Sequence, residues 1–562
     1  MLKQSLLLMF TVLILTGGVL MQTTAQANPL PNGVAAGDID QTSVVLWTRS
    51  EYTGGVTFEI ATDADFVEIV ATLTAEVADP LQPVRVEATD LTPGTRYYYR
   101  ATDSAGASAS GTFATPDETG TANGLRFGVS GDWRGELAPY PAVRNAAERQ
   151  LDFFVLHGDT IYSDYPSPAV PVQQATTLEQ YRLKHDEVYS SHMDMNTWAD
   201  VRASTAVFAM IDDHEVTNDF AGGAPPASDR RFAGESVEYI NDTALYETGL
   251  QAFQEYNPVR DEYYADSGDP RTAGERRLYR YRTFGSDAAI FLLDARSFRD
   301  SELPSTLDVS PEGVLAYEEA AFDPERTMLG AAQLADLQAD LLDAQAAGIT
   351  WKFIMVPEPM QNLGVVNASD RFEGYAAERT ALLRFIVENE ISNVVFVAAD
   401  IHGTIVNDIF YREAAGGAEI PANAFEITTG SVAFDAPFGP TVLELGRQAG
   451  IVTEEQFNLF SVLPLRARDT VLSGIVNDLL VEQGYSAIGL DDSGLDVELV
   501  EGGWFVCQTY GWTEFEIDAE TQALTVTTYG IPYYTALMLE ETPEDVLALE
   551  PAVLSRFIVA PQ

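Results

Sequence analysis

Six strand-length apolar runs in this sequence each end at an acidic side chain. The residues that follow the runs are Asp132, Asp159, Asp212 with Asp213 and His214, Asp294, Glu358, and Asp400 with His402. Apolar runs of this kind, separated by helical stretches, predict an α/β domain with parallel or mixed central strands. Because open α/β sheets bind ligands at the carboxyl ends of their strands, we expect these side chains to converge on one crevice.

Several carboxylates in one crevice repel one another unless a cation lies between them. At an effective dielectric of about 20, two carboxylates ~4 Å apart cost on the order of 4 kcal/mol. The set is rich in oxygen, with few imidazoles and no thiolate, and it suits hard ions such as Ca²⁺, Mg²⁺, Mn²⁺ or Fe³⁺, with Zn²⁺ as a further alternative. The sequence therefore predicts a metal site.

Taken singly, each motif also has an ordinary structural explanation. A Gly-Asp pair after a strand is often only a turn, and the segment Asp212–Glu215 is compatible with a helix start capped by aspartate. His402 alone is more often a core histidine. These explanations lose weight jointly, because three of the five histidines lie within two residues of the acids, namely His157, His214 and His402.

The amino-terminal third has a different pattern. Between residues 33 and 116, short alternating runs such as SVVLWTR, VTFEIAT and VRVEATD are separated by turns, a pattern that predicts a small β-sandwich. The segment LTPGTRYYYR is typical of the tyrosine corner of fibronectin-type and immunoglobulin-like modules. We predict a β-sandwich domain over 28–117 and a larger domain over 118–562, with a helical insertion or cap at about 437–503.

Residues 1–27 have the features of a cleaved signal peptide. Lys3 precedes an apolar run over Leu6–Leu15, and an Ala-x-Ala step ends at Ala27. A retained membrane anchor is the alternative, but the apolar run is short for a span. There is no twin arginine before the run and no lipid-bearing cysteine after it. We expect export by the general secretory route to a secreted or periplasmic location, without a stable membrane anchor.

The charge of the chain narrows the choice of partners. With 85 acidic and 32 basic residues the formal charge is −53, which argues against nucleic acid as a partner because phosphate backbones are bound by Lys and Arg. Most of these acids are expected on a solvated surface. The single cysteine, Cys507, excludes an intramolecular disulfide and is interpreted as a small buried residue. The sequence does not indicate an oligomeric state.

Seven segments together carry a family resemblance. They are GDTIY, IDDHEVTND, ALYETGLQAFQEYNPVR, LYRYRTFGSDAAIFLLDARSFR, DRFEGYAAERTALLRFI, NVVFVAADIHG and FEITTGS. In this order they resemble the PhoD-like alkaline phosphatase/phosphodiesterase family, a branch of the calcineurin-like metallophosphoesterases related to purple acid phosphatases. The resemblance covers about residues 33–431. It implies a metallophosphoesterase β-sandwich of mixed sheets flanked by helices, preceded by a small all-β fibronectin/Ig-like domain, and a phosphoric ester hydrolase.

The resemblance also assigns roles to individual residues. It implies that Asp159 bridges two metals, that Tyr162 binds Fe³⁺, and that Asp400 and His402 each bind one metal. It gives Asp213 and Asn218 as ligands of the second metal, often Ca²⁺, and His214 as a phosphate contact or proton donor. Whether Asp212 or Asp213 is the ligand stays open. Fe³⁺ and Ca²⁺ are the expected pair, with Mn²⁺, Zn²⁺ and Mg²⁺ as alternatives.

One motif departs from the family pattern. Many members carry Ser-Cys-Gln where this chain has Ser130-Gly131-Asp132. We expect Asp132 to serve as the ligand, as an aspartate does in purple acid phosphatases, and a carboxylate is harder than a thiolate. Glu358 is a further candidate ligand.

The expected function is that of a secreted, metal-dependent alkaline phosphatase acting on small organic phosphate esters. A hydroxide activated by two metals attacks phosphorus, while His214 and Arg134 contact the phosphoryl group and His214 protonates the leaving group. A phosphodiesterase or phospholipase D-like enzyme is the alternative, and an exposed apolar rim on the cap would favour it. A non-catalytic calcium-binding surface protein is a further alternative.

Overall fold

A computed structural model describes residues 30–366, 368–434, 436–448 and 452–562. The predicted signal peptide lies outside these residues. Among the described helices, none combines the length and the apolar character needed to span a membrane.

Seven strands make up the amino-terminal region. They are β1 (Val34–Gly37), β2 (Val44–Thr48), β3 (Gly54–Ala61), β4 (Ile69–Val77), β5 (Val84–Ala88), β6 (Arg96–Thr102) and β7 (Ser108–Ala114). Strands β4-β3-β6-β7 form an antiparallel four-stranded sheet, and its inner residues alternate with outer ones as the sequence predicts. The hydroxyl oxygen of Tyr97 accepts a hydrogen bond from the N–H of Thr92 at 2.9 Å, the contact expected of a tyrosine corner.

The remaining strands belong to the larger region. They are β8 (Leu125–Ser130), β9 (Phe153–His157), β10 (Ala206–Met210), β11 (Arg280–Phe284), β12 (Ala288–Leu292), β13 (Trp351–Met355), β14 (Val394–Ala398), β15 (Thr404–Tyr411), β16 (Ile420–Thr428), β17 (Val497–Glu501), β18 (Phe505–Val506), β19 (Thr509–Ile517), β20 (Leu524–Pro532) and β21 (Ala552–Val559).

Two mixed sheets form the central sandwich. The first has the order β17-β21-β20-β19-β8-β9-β10-β1-β2-β5 and the second β11-β12-β13-β14-β16-β15-β18. Their inner faces share one apolar core, in which the rings of Phe127 and Phe353 meet edge to face at 4.9 Å. Three amino-terminal strands thus join the first sheet, where β1 pairs in parallel with β10. The fold class expected from the sequence is confirmed.

Eleven α-helices lie among the described residues. They are α1 (Leu178–Tyr189), α2 (Thr197–Ser204), α3 (Ala244–Tyr256), α4 (Pro311–Ala321), α5 (Ala331–Ala346), α6 (Ala376–Glu388), α7 (Phe438–Gln448), α8 (Glu454–Ser461), α9 (Leu465–Glu482), α10 (Ala536–Glu541) and α11 (Pro543–Leu547). Helices α1 and α2 pack on the outer face of the first sheet, and α5 and α6 pack on the outer face of the second. Each sheet is therefore covered on both faces, which explains its continuous apolar runs.

The sandwich brings the acid-bearing strand ends to one edge. Strands β8, β9 and β10 run parallel in the first sheet, and β13, β14 and β16 run parallel in the second. The loops after them are joined by backbone hydrogen bonds, from Asp132 N to Gly158 O (3.3 Å) and from Val432 N to Gly131 O (3.0 Å). Loops from both sheets therefore meet above the same end of the core.

Helices α7, α8 and α9 form a cap next to this edge. The N–H of Phe438, at the start of α7, donates to the carbonyl of His402 at 2.9 Å. Leu443, Phe460 and Leu472, one from each helix, share a small apolar core with Cys507. The cap thus packs directly against the loop that carries His402.

Candidate metal centre

Three predicted ligands stand on strained backbone at the ends of their strands. Asp132, Asp159 and Asp400 each follow their strand by two residues and have φ values of 64°, 49° and 59°. His402 has a φ of 56°. For residues other than glycine such angles are uncommon, and they persist only where the surrounding structure fixes them. The glycine of the second Gly-Asp pair is required sterically, because a Cβ on Gly158 would lie 2.7 Å from the Cβ of Asp212.

A first group of side chains gathers Asp132, Asp159 and His402. Their potential ligand atoms all lie within 4.8 Å of one another, and His402 Nε2 lies 3.4 Å from Asp132 Oδ1. The Tyr162 hydroxyl lies 3.5 Å from the same His402 nitrogen. Neither carboxylate oxygen of Asp132 accepts a hydrogen bond from any residue that the structure describes, although the side chain is only 1% exposed. Such buried and unpaired oxygens are what a bound cation would satisfy.

A second group consists of Asp159, Asp213 and His214. Again one ligand atom from each residue lies within 4.8 Å of the others, with His214 Nε2 at 4.0 Å from Asp159 and 3.8 Å from Asp213. Asp159 belongs to both groups. Its carboxylate is therefore positioned between two candidate cation sites.

The electrostatics of the two groups also favour a bound cation. Burial, together with the neighbouring carboxylates of Asp213 and Asp212, raises the pKa of Asp159 well above its ordinary value. Burial and the carboxylates of Asp159 and Asp132 likewise raise the pKa of the Tyr162 phenol. The donor set is made of carboxylate, phenol and imidazole, the chemistry that hard cations select. The residues present therefore fit divalent or trivalent metal ions.

Adjacent aspartates in the segment after β10 face different partners. The carboxylate of Asp212 forms an ion pair with the buried guanidinium of Arg296, whereas Asp213 lies in the second group. Burial opposes ionisation of Asp213, but the charges of His214 and Arg296 outweigh it and hold the pKa of that carboxyl below its ordinary value. The geometry favours Asp213 over Asp212 as the ligand, which the sequence left open.

His214 is oriented by Asp164, a residue that the sequence analysis missed. Asp164 Oδ1 lies 2.6 Å from His214 Nδ1, and its Oδ2 accepts the backbone N–H of Asn218 at 2.8 Å. Burial alone would lower the pKa of His214, but Asp213 and Asp164 raise it to about 9. Its Nε2 is directed toward the acidic groups. The available signal was the acid two positions after Tyr162, in GDTIYSD.

Three other predicted residues lie beside the two groups. Asn218 reaches the centre through its backbone contact with Asp164. Asp400 is outside both groups, 3.9 Å from an Nη of Arg296. Glu358 is fully buried and lies 2.6 Å from Arg296 Nε, which it shares with Asp212, and burial raises its pKa to about 7.

A further group of carboxylates gathers Asp219, Glu302 and Asp370. Asp370 is held by Arg296 and Arg299, with N–O distances of 2.7 and 2.6 Å. The strand pattern of the sequence does not indicate this group as a site, because its members come from loops without a strand signal. Its arginine partners distinguish it from the two groups around Asp159.

An aromatic layer lies against the centre. The guanidinium of Arg134 pairs with Glu136 and lies 4.7 Å from the ring centroid of Tyr165 and 5.7 Å from that of Phe434. Phe434 in turn stacks on the imidazole of His402, with centroids 4.0 Å apart. The structure therefore brings Arg134 to the site, as predicted, and adds Phe434, which no motif had indicated.

Oxygen and nitrogen donors at the carboxyl ends of parallel strands in a β-sandwich define the class of site, a candidate binuclear metal centre. Comparisons with known proteins identify the family. A family model described as PhoD-like phosphatase matches residues 129–457, and one for the PhoD-like phosphatase N-terminal domain matches residues 17–117. The chain belongs to the PhoD-like phosphatase family, a family of phosphoric ester hydrolases, and the resemblance noted in the sequence is confirmed.

Individual relatives support the family assignment. The chain is 29% identical to alkaline phosphatase D of Bacillus subtilis (strain 168) over 418 residues, 68% of this chain and 66% of that relative's length. A solved structure of PhoD has 21% identity and a TM-score of 0.66, over 95% of this chain and 90% of that one. A purple acid phosphatase from yellow lupin (Lupinus luteus) seeds reaches a TM-score of 0.46 at 10% identity, over 95% of this chain and 74% of that one. The PhoD match supports the shared fold, whereas the lupin score is too low to carry an argument.

Proposed function

We propose that this protein is a metal-dependent phosphatase that hydrolyses small organic phosphate esters. The observation that carries the proposal is the position of Asp159, which belongs to both groups of ligand-capable side chains in a chain of the PhoD-like phosphatase family. A structural calcium site needs no histidine. His402 and His214 in the two groups therefore weigh against a non-catalytic calcium-binding protein.

The residues that would hold the cations are Asp132, Asp159, Asp213 and His402 of the two groups, with Tyr162 beside the first, whereas His214 is kept for proton transfer. Cations held there supply Lewis acidity, which offsets charge on the phosphoryl oxygens and makes a water molecule acidic enough to attack phosphorus near neutral pH. Fe³⁺ and Ca²⁺ remain the expected pair from the family resemblance. Asp132, in place of a cysteine, makes the first donor set harder, so Mn²⁺, Zn²⁺ and Mg²⁺ remain alternatives.

His214 is proposed as the proton donor to the leaving group. Asp164 fixes the imidazole through Nδ1 and leaves Nε2 directed to the centre. A protonated Nε2 donates its proton to the departing ester oxygen, the step that limits poor leaving groups. Asp164 is thus a positioning residue for His214.

Arg134 is proposed to bind a phosphoryl oxygen at the edge of the centre. Its guanidinium is held by Glu136 and by the ring of Tyr165, and 12% of the side chain remains exposed. A guanidinium positioned in this way offers donors to phosphate oxygens without first losing much side-chain entropy.

Hydrolysis of p-nitrophenyl phosphate and bis-p-nitrophenyl phosphate tests the proposal directly. The purified mature chain is treated with chelator and then given Ca²⁺, Mn²⁺, Zn²⁺ or iron, and both rates are measured. We expect turnover to be lost on chelation, restored by metal, and faster for the monoester. Asp65→Asn, at an exposed turn of the amino-terminal region, is the matched control for Asp159→Asn. Failure of every metal to restore hydrolysis between mildly acid and alkaline pH would reject the phosphatase function.

A second candidate function, a diesterase acting on lipid phosphodiesters, is favoured by the surface of the cap. Val471, Ile475 and Leu479 follow one another at intervals of four on α9 and are 43%, 42% and 42% exposed. Side chains at this spacing form one stripe, and contiguous exposed apolar surface often marks an interaction site. The stripe lies on α9, in the same cap as α7, whose first residue Phe438 contacts the carbonyl of His402.

The two candidates are separated by an assay on phosphatidylcholine vesicles. If the stripe engages lipid, Val471→Lys reduces vesicle turnover several-fold and leaves turnover of p-nitrophenyl phosphate unchanged. Val237→Lys replaces a valine with 38% exposure outside the cap and serves as the control. Equal vesicle rates for the wild type and both variants would leave the monoesterase as the better candidate.

Export from the cytoplasm is proposed from the sequence of residues 1–27. Amino-terminal sequencing of the protein from its native source tests it, and a mature chain starting near Asn28 is the expected result. A chain that retains Lys3 would contradict cleavage.

A further inference from the structure

Among the described residues of the two groups, His402 has the most exposed side chain. The side chains of Asp132, Asp159 and Asp213 are 1%, 4% and 4% exposed, whereas that of His402 is 19% exposed. Phe434, which stacks on His402, is half-buried. A substrate that approaches these acids beside His402 therefore meets the surface that Phe434 and His402 share.

The ring of Phe434 is fixed at this position. It lies at 29° to the imidazole of His402 and at 31° to the ring of Tyr162, with centroids 4.0 and 4.7 Å apart. Its carbonyl accepts a hydrogen bond from the Tyr510 hydroxyl. A backbone bond from Arg134 N to Ala433 O, at 3.1 Å, ties its segment to the loop after β8. The ring is therefore a rigid flat surface and pays little entropy on contact with a ligand.

A ligand beside the ring of Phe434 meets both a positive charge and an aromatic surface. Arg134 lies over both Phe434 and Tyr165 and presents positive charge beside them. An ester in this position directs its anionic phosphoryl group to the guanidinium and the acid cluster, and its organic group to the aromatic surface. Aromatic faces favour flat, apolar and π-rich groups over small aliphatic ones.

We infer that Phe434, assisted by Tyr165, is a specificity-determining residue that contacts the organic group of the ester and selects aryl and other flat ring-bearing phosphate esters. The inference rests on the proposed phosphatase function, since it concerns the same centre. Ring-stacking energies correspond to a preference of about 2- to 12-fold in affinity.

Binding of two non-hydrolysable analogues tests the inference without turnover. Phenylphosphonate and methylphosphonate share the anionic group and differ in the ring, and calorimetry gives both dissociation constants on metal-loaded protein of measured metal content. Phe434→Ala removes the aromatic surface. Phe434→Leu keeps an apolar cover over His402 and Tyr162. Phe66→Ala is the matched control, because Phe66 is also half-buried beneath an arginine, Arg100, at 4.4 Å but lies in the connection between β3 and β4, in the amino-terminal region.

The expected result is a selective loss. Phe434→Ala and Phe434→Leu weaken phenylphosphonate by about 2- to 12-fold and leave methylphosphonate and metal content unchanged, while Phe66→Ala changes neither. A parallel loss of both analogues, an unchanged ratio, or no binding of phenylphosphonate by the wild type would overturn the inference. Because the proposed function is judged by hydrolysis in the wild type, an enzyme that turns over both nitrophenyl esters yet fails this test would lose only the specificity assignment.

Discussion

Two buried aspartates of this protein have opposite surroundings. Asp38, in the loop after β1, is 2% exposed and meets three guanidiniums, with N–O distances of 3.0 Å to Arg280, 2.7 Å to Arg282 and 3.3 Å to Arg260. Burial acts to raise the pKa of Asp38, but the three arginines hold it well below its usual range. Asp159 is as deeply buried, has carboxylates for neighbours, and has its pKa raised.

The difference distinguishes buried carboxylates that the protein itself pairs with arginine from buried carboxylates that are available to bind a ligand. A buried charge costs several kcal/mol unless it is paired, and around Asp38 the protein supplies the pairing itself. Arg296 and Arg299 do the same for Asp370, and they hold the pKa of that carboxyl well below its usual range. No arginine contact of this kind is found for Asp159 or Asp132 among the described ion pairs. Bound cations would supply the compensation there.

The largest effect is expected from Asp159→Asn. Removal of the shared carboxylate should lower kcat/KM by about 10³-fold or more, equivalent to about 4 kcal/mol, and should reduce metal content. In chelated protein the same change removes one repelling carboxylate, so the free energy of unfolding should not fall. Metal analysis, nitrophenyl phosphate kinetics and urea unfolding check the three parts. If the variant keeps its metal and its full activity, Asp159 is not a metal ligand and its contrast with Asp38 is wrong.

Asp38→Asn should show the opposite behaviour. Loss of this carboxylate leaves three buried guanidiniums without their central partner, and breaking such a pair costs about 3–5 kcal/mol. We expect a lower midpoint of urea unfolding, with metal content retained in the folded protein. Asp65→Asn, at its exposed position, should change neither. A variant as stable as the wild type would show that the carboxylate of Asp38 is not needed to stabilise the arginine cluster.

The neighbouring pair Asp212 and Asp213 sharpens the comparison within one segment. Asp213→Asn should weaken metal binding by at least about 100-fold, since outer-shell changes alone cost ~10–100-fold. Asp212→Asn should lower stability and retain metal, because that carboxylate faces Arg296. Isothermal titration with metal and urea unfolding of both variants measure the contrast. The reverse ranking would assign the ligand to Asp212.

Near neutral pH the smallest effect is expected at His185, an uncompensated buried group away from the centre. Its ring stacks on Tyr256, and burial lowers its pKa from 6.5 to about 3. Below pH 6.5 His185 binds a proton in the unfolded state but stays neutral in the folded state. The free energy of unfolding therefore decreases as the pH falls toward 3, by up to about 1.4 kcal/mol per pH unit.

His185→Phe should remove this contribution. We expect a shallower fall of the free energy of unfolding between pH 6 and pH 4 than in the wild type. Measurements at pH 8, where the histidine is neutral in both states, control for the change in packing. Identical slopes in the acid range would show that His185 does not contribute to acid denaturation.

Much of the centre was predictable because its chemistry is local in the sequence. Asp132, Asp159 and Asp400 each follow an apolar run by two residues, and the strand pattern alone places such side chains at one edge of a sheet. His402 follows Asp400 by two residues, and His214 directly follows Asp213. The tyrosine corner at Tyr97 was likewise predicted from the segment LTPGTRYYYR.

Other parts depend on residues that meet only in space. The positioning role proposed for Asp164 depends on His214, which is 50 positions away in the sequence and lies 2.6 Å from it in the structure. Phe434 follows no strand signal and gains its place from the stacking of its ring on His402. The partners of Glu358 are arginines from another loop, so the sequence presented it as a free acid. Pairing distances of this kind are not encoded in local patterns.

The sequence by itself determined the strand-and-acid pattern, the all-β amino-terminal pattern and the family, because apolar periodicity and motif order are local properties. Tertiary structure alone decided which carboxylates are paired with arginine and which are not. That distinction depends on distances between segments far apart in the chain, and it separates Asp38 and Asp370 from Asp132 and Asp159. It also placed β1, β2 and β5 in the sheet that bears the site, because strand edges pair wherever the fold brings them together.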